Sequence, residues 1–176
     1  MRIHTATLAA LATVFAAGAA QADSTKTEAR NLSDSKVSLT EAIHMAEKQG
    51  GGQAISAEYE THSGTLGYYE VKVLSNDGQK LTKYDLDTNT GKITEVSNEA
   101  FENLFTRLKP TAVQNAPTSL SRAITTAEQR ANGKATDAEV NRDGDQVKYT
   151  VKVARADGKT EKVEVNGADG KVASAK

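Results

Sequence analysis

The feature that most limits the possible folds of this chain is an internal repeat. The segment LTEAIHMAEKQGGGQAISAEY, which begins at Leu39, aligns without a gap with LSRAITTAEQRANGKATDAEV, which begins at Leu120. Further along, YEVKVLSNDG aligns with YTVKVARADG, and GKI aligns with GKV. A repeat of this length indicates that one supersecondary unit occurs twice. The sequence therefore predicts two modules of the same fold.

Each copy opens with a helical pattern. Apolar residues follow the i, i+3, i+4, i+7 spacing of one helix face, at Leu39, Ala42, Ile43 and Ala46 and again at Leu120, Ala123, Ile124 and Ala127. Ser38 and Glu41 predict a capping box for the first helix, whereas Arg122 replaces the acid in the second. The glycine run 50–52 and Asn132 predict the two helix ends. Phosphate binding by the glycine run is disfavoured, because no strand precedes it and no Gly-Lys-Ser/Thr follows.

Strands follow each helix. Tyr69, Val71 and Val73 alternate with the outward residues Glu70 and Lys72, and YTVKV repeats this pattern in the second copy. The dipeptide Asp-Gly closes both segments and predicts a hairpin turn each time. The predicted fold class is α+β, with two repeated modules that each pack one helix on a small antiparallel sheet.

Five segments are expected along the chain. Arg2, an alanine-rich apolar run and a small-x-small site at residues 20–22 predict a secretory signal peptide. The connecting segment carries Phe101, Leu104, Phe105 and Leu108 at helical spacing, which suits either a clasp between the modules or a helix that docks a partner. The expected segments are a signal peptide (1–22), a flexible N-terminal segment (23–36), module 1 (37–97), an amphipathic connecting helix with a linker (98–118) and module 2 (119–176).

Composition narrows the range of functions. Removal of residues 1–22 leaves a net charge of −2, without the basic stripe that nucleic-acid binding requires. The apolar run at the start is too short to span a bilayer comfortably, and no second one follows. The chain has no cysteine, which excludes thiol catalysis and thiolate metal sites. We expect an exported protein, periplasmic or secreted, with no membrane span and no nucleic-acid partner.

Catalytic motifs are missing from the sequence. Outside the signal peptide, the histidines are His44 and His62, and the chain contains neither HExxH nor GxSxG. His44 and Glu47 share a helix face, but Thr125 stands at the matching place in the second copy, which favours a surface histidine. His62 has a serine beside it and no third partner. We therefore expect no enzymatic activity.

Carboxylates are the remaining candidates for chemistry. Strand alternation places acids from three strands on the outward face of module 1, at Glu58, Glu60, Glu70, Asp85 and Asp87. Neighbouring strands lie about 4.8 Å apart, so these carboxylates could converge on one hard cation. The alternative is a solvated face with cross-strand ion pairs.

Two turns contain further oxygen ligands. The turn NRDGDQ gathers Asn141, Asp143 and Asp145, which suits a hard cation and an ordinary hairpin turn equally well. In YDLDTNTGKI, residues 84–93, acids alternate as at the start of a calcium loop. Thr90 and Val96, however, stand where such a loop needs glycine and glutamate, so we expect a hairpin.

The ordered set of motifs resembles a known family. A helix of L-x-x-A-I-x-x-A type, a Y-x-V-x-V strand, a D-G turn and a closing Y-x-L/V-D-x-x-T-G-K-I hairpin resemble the PepSY domain, over Val37–Val96 and from Ser119 to about Val172. The resemblance implies an α+β domain of exported bacterial proteins, including propeptides of thermolysin-type peptidases, where it inhibits or assists folding. Module 2 departs from the pattern, with Asn166 in place of Asp87, so the two modules need not share one function.

Small periplasmic tandem proteins of the lanpepsy type, which bind lanthanide ions, are similar to this arrangement. From this resemblance we expect a non-catalytic protein that binds hard cations, lanthanide or calcium, through surface carboxylates. The alternative is a peptidase inhibitor or chaperone-like protein, with a peptidase or another exported protein as its partner.

Overall fold

The computed structural model describes residues 30–61, 67–99 and 108–176. Three expectations lie outside these residues: the signal peptide at 1–22, the loop residue His62, and most of the connecting helix with Phe101 and Phe105. Leu108, the last apolar residue of that helical pattern, is described and is buried.

The order of one helix followed by four strands occurs twice. Module 1 consists of α1 (Leu39–Gly50), β1 (Gly52–Glu60), β2 (Tyr68–Ser75), β3 (Leu81–Asp87) and β4 (Ile93–Asn98). After the short helix α2 (Pro110–Gln114), module 2 consists of α3 (Leu120–Ala131), β5 (Gly133–Asp143), β6 (Gln146–Arg155), β7 (Thr160–Asn166) and β8 (Val172–Ala175). The predicted α+β modules are confirmed. Among the described residues, no helix has the length and apolarity needed to cross a membrane.

The two modules share one continuous antiparallel sheet of eight strands. Its order is β4-β3-β2-β1-β5-β6-β7-β8, so the first strands of the two modules meet in the middle. Three residue pairs form this seam, Ser56 with Glu139, Ala57 with Ala138 and Glu58 with Asp137. The sequence predicts two small sheets but not their fusion, because nothing local marks which edges will pair.

The two helices begin and end as their sequences predict. At the start of α1, the Ser38 hydroxyl accepts a hydrogen bond from the Glu41 backbone N–H, and the Glu41 carboxylate accepts one from the Ser38 N–H, which completes the capping box. At the start of α3, Ser119 accepts from the Arg122 N–H alone. Gly51 ends α1 in the left-handed region, with φ 60°. A left-handed residue there satisfies helix carbonyls that would otherwise lack donors.

Both helices lie on one face of the sheet and bury their apolar stripes against it. Ile43 and Ile124 are fully buried at equivalent positions of α1 and α3. Removing one such side chain from water stabilises the fold by about 1.5–3 kcal/mol. Beneath the helices lie inward-facing strand residues, which include Tyr69, Val71, Val73, Tyr149, Val151 and Val153. The opposite face, here called the open face, carries the polar residues that alternate with them.

Equivalent hydrogen bonds tie helix to sheet in the two modules. The Tyr69 hydroxyl donates to the Val37 carbonyl at 2.8 Å, and the Tyr149 hydroxyl donates to the Thr118 carbonyl. At the β-bulge that opens each first strand, a helix glutamate accepts a hydrogen bond from the bulged strand. Glu47 accepts from the Ala54 N–H, and Glu128 accepts from the Ala135 N–H, both at 2.9 Å.

Each module also has a short helical turn ahead of its main helix. Residues 23–36 are expected to be flexible, and the structure differs over the described part, because residues 30–34 are helical and Leu32 is buried. Val113 of α2 holds the equivalent place seven residues before α3. A single apolar residue in a polar segment gives no periodicity, which explains why the sequence pattern missed this turn.

Candidate functional site

A line of five carboxylates crosses the open face. Cross-strand pairing links Glu95 to Asp85, Asp85 to Glu70, Glu70 to Glu58, and Glu58 to Asp137 across the seam. Residues directly opposite each other in a sheet point to the same face and lie about 5 Å apart. These five residues, here called the acidic row, place one carboxylate on each of five neighbouring strands.

The same line ends in lysines. Asp137 pairs with Lys152, Lys152 pairs with Lys162, and the backbone of Lys162 exchanges two hydrogen bonds with that of Lys176 just beyond β8. These three lysines, here called the lysine end, complete a row across the whole sheet. Along this row the charge is therefore negative from β4 to β5 and positive from β6 to the residue that follows β8.

Asp85 is the most buried member of the acidic row. It is only 7% exposed, and its Oδ1 atom has no hydrogen-bond partner. Its Oδ2 atom lies 3.6 Å from Nζ of Lys83. Loss of hydration raises the pKa of Asp85, and Glu70 and Glu95 raise it further, while Lys83 opposes them. The structure thus keeps a carboxylate at a place where its charge is poorly compensated.

Glu58 lies at the seam and has a similar electrostatic environment, although its side chain is exposed. Partial desolvation raises the pKa of Glu58, and Asp137, Glu60 and Glu70 add to the effect, whereas Lys152 opposes it. Like charges directly opposite each other destabilise a sheet. Crowding of carboxylates therefore extends across the boundary between the modules.

Three lysines balance part of this charge. Lys83 lies 3.4 Å from a carboxylate oxygen of Glu70, and Lys72 lies 3.3 Å from the other oxygen of Glu70. Lys152 lies 2.5 Å from Asp137. The contacts of Lys83 and Lys152 are cross-strand ion pairs of the kind that the alternative interpretation of the sequence predicts, whereas Lys72 and Glu70 lie on the same strand. They still leave acids in excess over lysines around the acidic row.

Two of the predicted acids lie beside the acidic row. Glu60 and Asp87 are both paired with Tyr68, so they form a neighbouring line. Oδ1 of Asp87 accepts hydrogen bonds from the backbone and hydroxyl of Thr90 and from the Asn89 N–H. The hydrogen bonds from Thr90 and Asn89 lower the pKa of Asp87. Asp87 therefore holds the β3–β4 turn, as expected for a hairpin in YDLDTNTGKI.

The side chains of the second predicted cluster, in the turn NRDGDQ, do not converge on one point but contact different partners. Asn141 donates to Glu139 and to the Thr150 hydroxyl. Asp145 accepts from Lys109 at 2.7 Å, and this hydrogen bond lowers the pKa of Asp145. Asp143 ends β5 and is exposed. The structure therefore ties this turn to the chain that precedes α2.

No ready-made metal centre is present in the described part of the chain, where no group of three or more His, Cys, Asp or Glu is placed to hold an ion. The helix pair His44 and Glu47 lies 3.6 Å apart, with His44 exposed. Glu47 uses its other oxygen to accept from the β1 backbone. This agrees with the interpretation of His44 as a surface histidine.

Two members of the acidic row are absent from the predicted site residues. Asp137 joins the row only because β1 pairs with β5, and Glu95 joins because β4 pairs with β3 in one particular register. The repeat gives no signal for the seam. The register of β3 and β4 contains a bulge between Asp85 and Leu86, which sequence alternation does not reveal.

The helix-covered sheet and its open polar face define a tandem α+β repeat protein. The family model of the PepSY domain, described as the peptidase propeptide and YPEB domain, matches residues 36–97 and 117–176. Since these segments make up most of the chain, the protein belongs to the PepSY family.

Solved structures include two similar chains. A predicted lipoprotein from Clostridium difficile 630 is 20% identical, with a TM-score of 0.49 over 81% of this chain and 94% of that one. The YpmB protein from Bacillus subtilis is 16% identical, with a TM-score of 0.31 over 77% and 94%. None of the curated proteins matches this chain.

Proposed function

We propose that this chain is an exported, non-catalytic PepSY protein that binds a hard cation, lanthanide or calcium, on the acidic row. The observation that carries the proposal is the buried carboxylate of Asp85, which has one unpartnered oxygen between Glu70 and Glu95. Burying an ionised group without compensation is unfavourable, and a cation would supply the missing charge.

The chemistry of the row suits such an ion. Calcium and lanthanides prefer several oxygen ligands, and carboxylates are the strongest of these in proteins. Glu70 and Asp85 would supply the first ligands, with Glu58 and Glu95 on the flanking strands. Lys83 and Lys72 now neutralise Glu70, so an ion would displace at least one ammonium group. Binding would therefore weaken at low pH and at high salt.

A calorimetric titration of the purified protein with calcium and with a lanthanide tests the proposal. A ligand that binds only the folded state stabilises it by about 2.7 kcal/mol at a hundredfold excess over its dissociation constant. We expect heat on titration and a higher Tm with one of these ions. A flat titration together with an unchanged Tm would contradict cation binding.

The repeat supplies a matched control. Glu164 of β7 faces Thr150 as Asp85 faces Glu70, so the two positions are equivalent. Asp85→Asn should reduce the affinity for the ion by at least about tenfold, which corresponds to 1.4 kcal/mol, whereas Glu164→Gln should leave it unchanged. Equal losses in both variants would mean that cations bind diffusely to the negative surface.

A second candidate function is inhibition of a peptidase. The family description names peptidase propeptides, and β4 offers an exposed edge with Val96 56% exposed. An extended peptide can add to such an edge as an extra strand. The test is the rate of a thermolysin-type peptidase with the protein in stoichiometric excess. An unchanged rate would exclude this candidate for that class of peptidase.

A further inference from the structure

The two outer edges of the eight-stranded sheet are complementary to each other. β4 and β8 are its terminal strands, and each carries one end of the charged row. The β4 edge presents the exposed carboxylate of Glu95, and the β8 edge presents the exposed ammonium group of Lys176. An edge strand leaves every second backbone N–H and C=O free to pair with another strand.

The strand directions also allow the two edges to pair. Every neighbouring pair in the sheet is antiparallel, so the first and eighth strands of the order run in opposite directions. When a second copy is placed beside β4 with its helices on the same face, its β8 is antiparallel to β4. The open faces of the two copies then continue as one surface.

One register satisfies both the backbone and the side chains. The backbone of Lys176 forms hydrogen bonds with β7, so the backbone N–H and C=O of Ala175 point away from the sheet. The Glu99 N–H donates to β3, so by alternation the backbone N–H and C=O of Val96 also point away from the sheet. Pairing Ala175 of the second copy with Val96 joins the free backbone groups. It also puts Lys176 opposite Glu95, and cross-strand pairs of opposite charge and of apolar side chains are both stabilising.

We propose that the β8 edge of one copy pairs with the β4 edge of a second copy, in the register that sets Lys176 opposite Glu95 and Ala175 opposite Val96. The pairing is heterologous, so the chain would form open-ended, salt-sensitive assemblies rather than a closed dimer. With the same outward backbone groups, two paired β4 edges would place Val96 opposite Val96 and Glu95 opposite Ser97, and two paired β8 edges would place Lys176 opposite Ser174. Neither symmetric pairing joins opposite charges, so the charge pattern favours the heterologous pairing.

Sedimentation velocity of the purified protein, in a chelator and at low and high salt, tests the proposal independently of cation binding. We expect the average mass to rise with concentration beyond that of a dimer at low salt, and to fall at high salt. A protein that stays monomeric up to millimolar concentration at low salt would overturn the proposal.

Charge reversal tests the register. Glu95→Lys or Lys176→Glu alone should raise the concentration needed for half-association by about tenfold. An equimolar mixture of the two variants should associate as the wild type does, because each mixed contact again joins opposite charges. Asp34→Lys and Lys48→Glu make the same charge changes at exposed positions away from both edges and should have no effect. Failure of the mixture to recover would overturn the proposal.

Disulfide capture adds a readout of geometry, since the chain has no cysteine of its own. Val96→Cys and Ala175→Cys variants are mixed and oxidised. We expect the mixed disulfide dimer to exceed the share that random pairing of the two thiols would give. Statistical yields of the three dimers would contradict the register, even if association were observed by sedimentation.

Discussion

Asp85 in module 1 and Glu164 in module 2 hold equivalent positions but have opposite electrostatic properties. Burial raises the pKa of Asp85, and one of its oxygens has no partner. Glu164 accepts a hydrogen bond from the Ser174 hydroxyl at 3.0 Å, which lowers the pKa of Glu164, and Lys148 contributes to the same effect. One module has an unsatisfied carboxylate where the other has a satisfied one.

The two modules also differ at the other open-face positions that lie in line with Asp85 and Glu164. Module 1 has an acid at every position, whereas module 2 has two acids and two hydroxyls: Glu58 against Glu139, Glu70 against Thr150, Asp85 against Glu164, and Glu95 against Ser174. The buried face is constrained by packing in both modules, because each inward side chain touches many neighbours. The open face is less tightly packed, and the two modules differ there in the charge of equivalent residues.

The largest predicted effect tests whether the buried faces are truly equivalent. Ile43→Ala and Ile124→Ala should each destabilise the protein by about 2–5 kcal/mol, because both remove a fully buried side chain from the helix–sheet interface. Since one sheet joins the modules, each variant should still unfold in a single transition. Chemical denaturation followed by circular dichroism measures this, and two separate transitions would show that the modules unfold independently.

The next effect concerns the buried tyrosine hydroxyls. Tyr69→Phe and Tyr149→Phe should each cost about 1–2 kcal/mol, because each leaves a buried carbonyl, of Val37 or Thr118, without its donor. Denaturant midpoints of the two variants measure the loss. A loss of stability in only one of the two variants would show that the two tyrosine hydrogen bonds are not equivalent.

A smaller difference is expected at the helix caps. Ser38→Ala removes a complete capping box and should cost about 1 kcal/mol, whereas Ser119→Ala removes a single hydrogen bond and should cost less. Restoring the acid with Arg122→Glu should raise the Tm of the wild type slightly. An equal cost for both serine variants would mean that Glu41 adds nothing to the cap.

The smallest effects should have opposite signs in the two modules. A raised pKa means that folding favours the protonated form, so Asp85 contributes stability at low pH that is lost as the pH rises through its folded pKa. A lowered pKa means the reverse, so Glu164 contributes stability above its ordinary pKa that is lost as the pH falls through its folded pKa.

At about pH 7, Asp85→Asn should therefore raise the Tm and Glu164→Gln should lower it. The Asp85 difference should disappear as the pH falls below the ordinary pKa of aspartate, and the Glu164 difference should disappear as the pH falls through the lowered pKa of Glu164. Differential scanning calorimetry across this range measures both. A lower Tm for Asp85→Asn at neutral pH would show that its ion pair with Lys83 outweighs the loss of hydration.

Local patterns predicted most of the fold. The apolar spacing around Ile43 and Ile124, the alternation around Val71 and the Asp-Gly turns each depend on near neighbours in sequence, so the helices and strands could be placed. The seam could not be predicted, because the choice of β1 and β5 as partners depends on how two finished modules meet.

The candidate site could be predicted only in part, because only some of its features depend on residues that are near each other in sequence. Outward placement of Glu58, Glu70 and Asp85 follows from strand alternation, and the structure sets them in one line. The inclusion of Asp137 needs the seam. The burial of Asp85 depends on side chains from several strands, so the periodicity of the sequence does not predict it.

The narrow seam also has a consequence for how the chain folds. Within each module, every strand pairs with its neighbour in sequence, whereas the seam joins Glu58 to Asp137, roughly 80 residues away. Contacts distant in sequence are slow to form, because a long loop must close first. Each meander should therefore form by local contacts, and the union of the two halves should be the late step of folding.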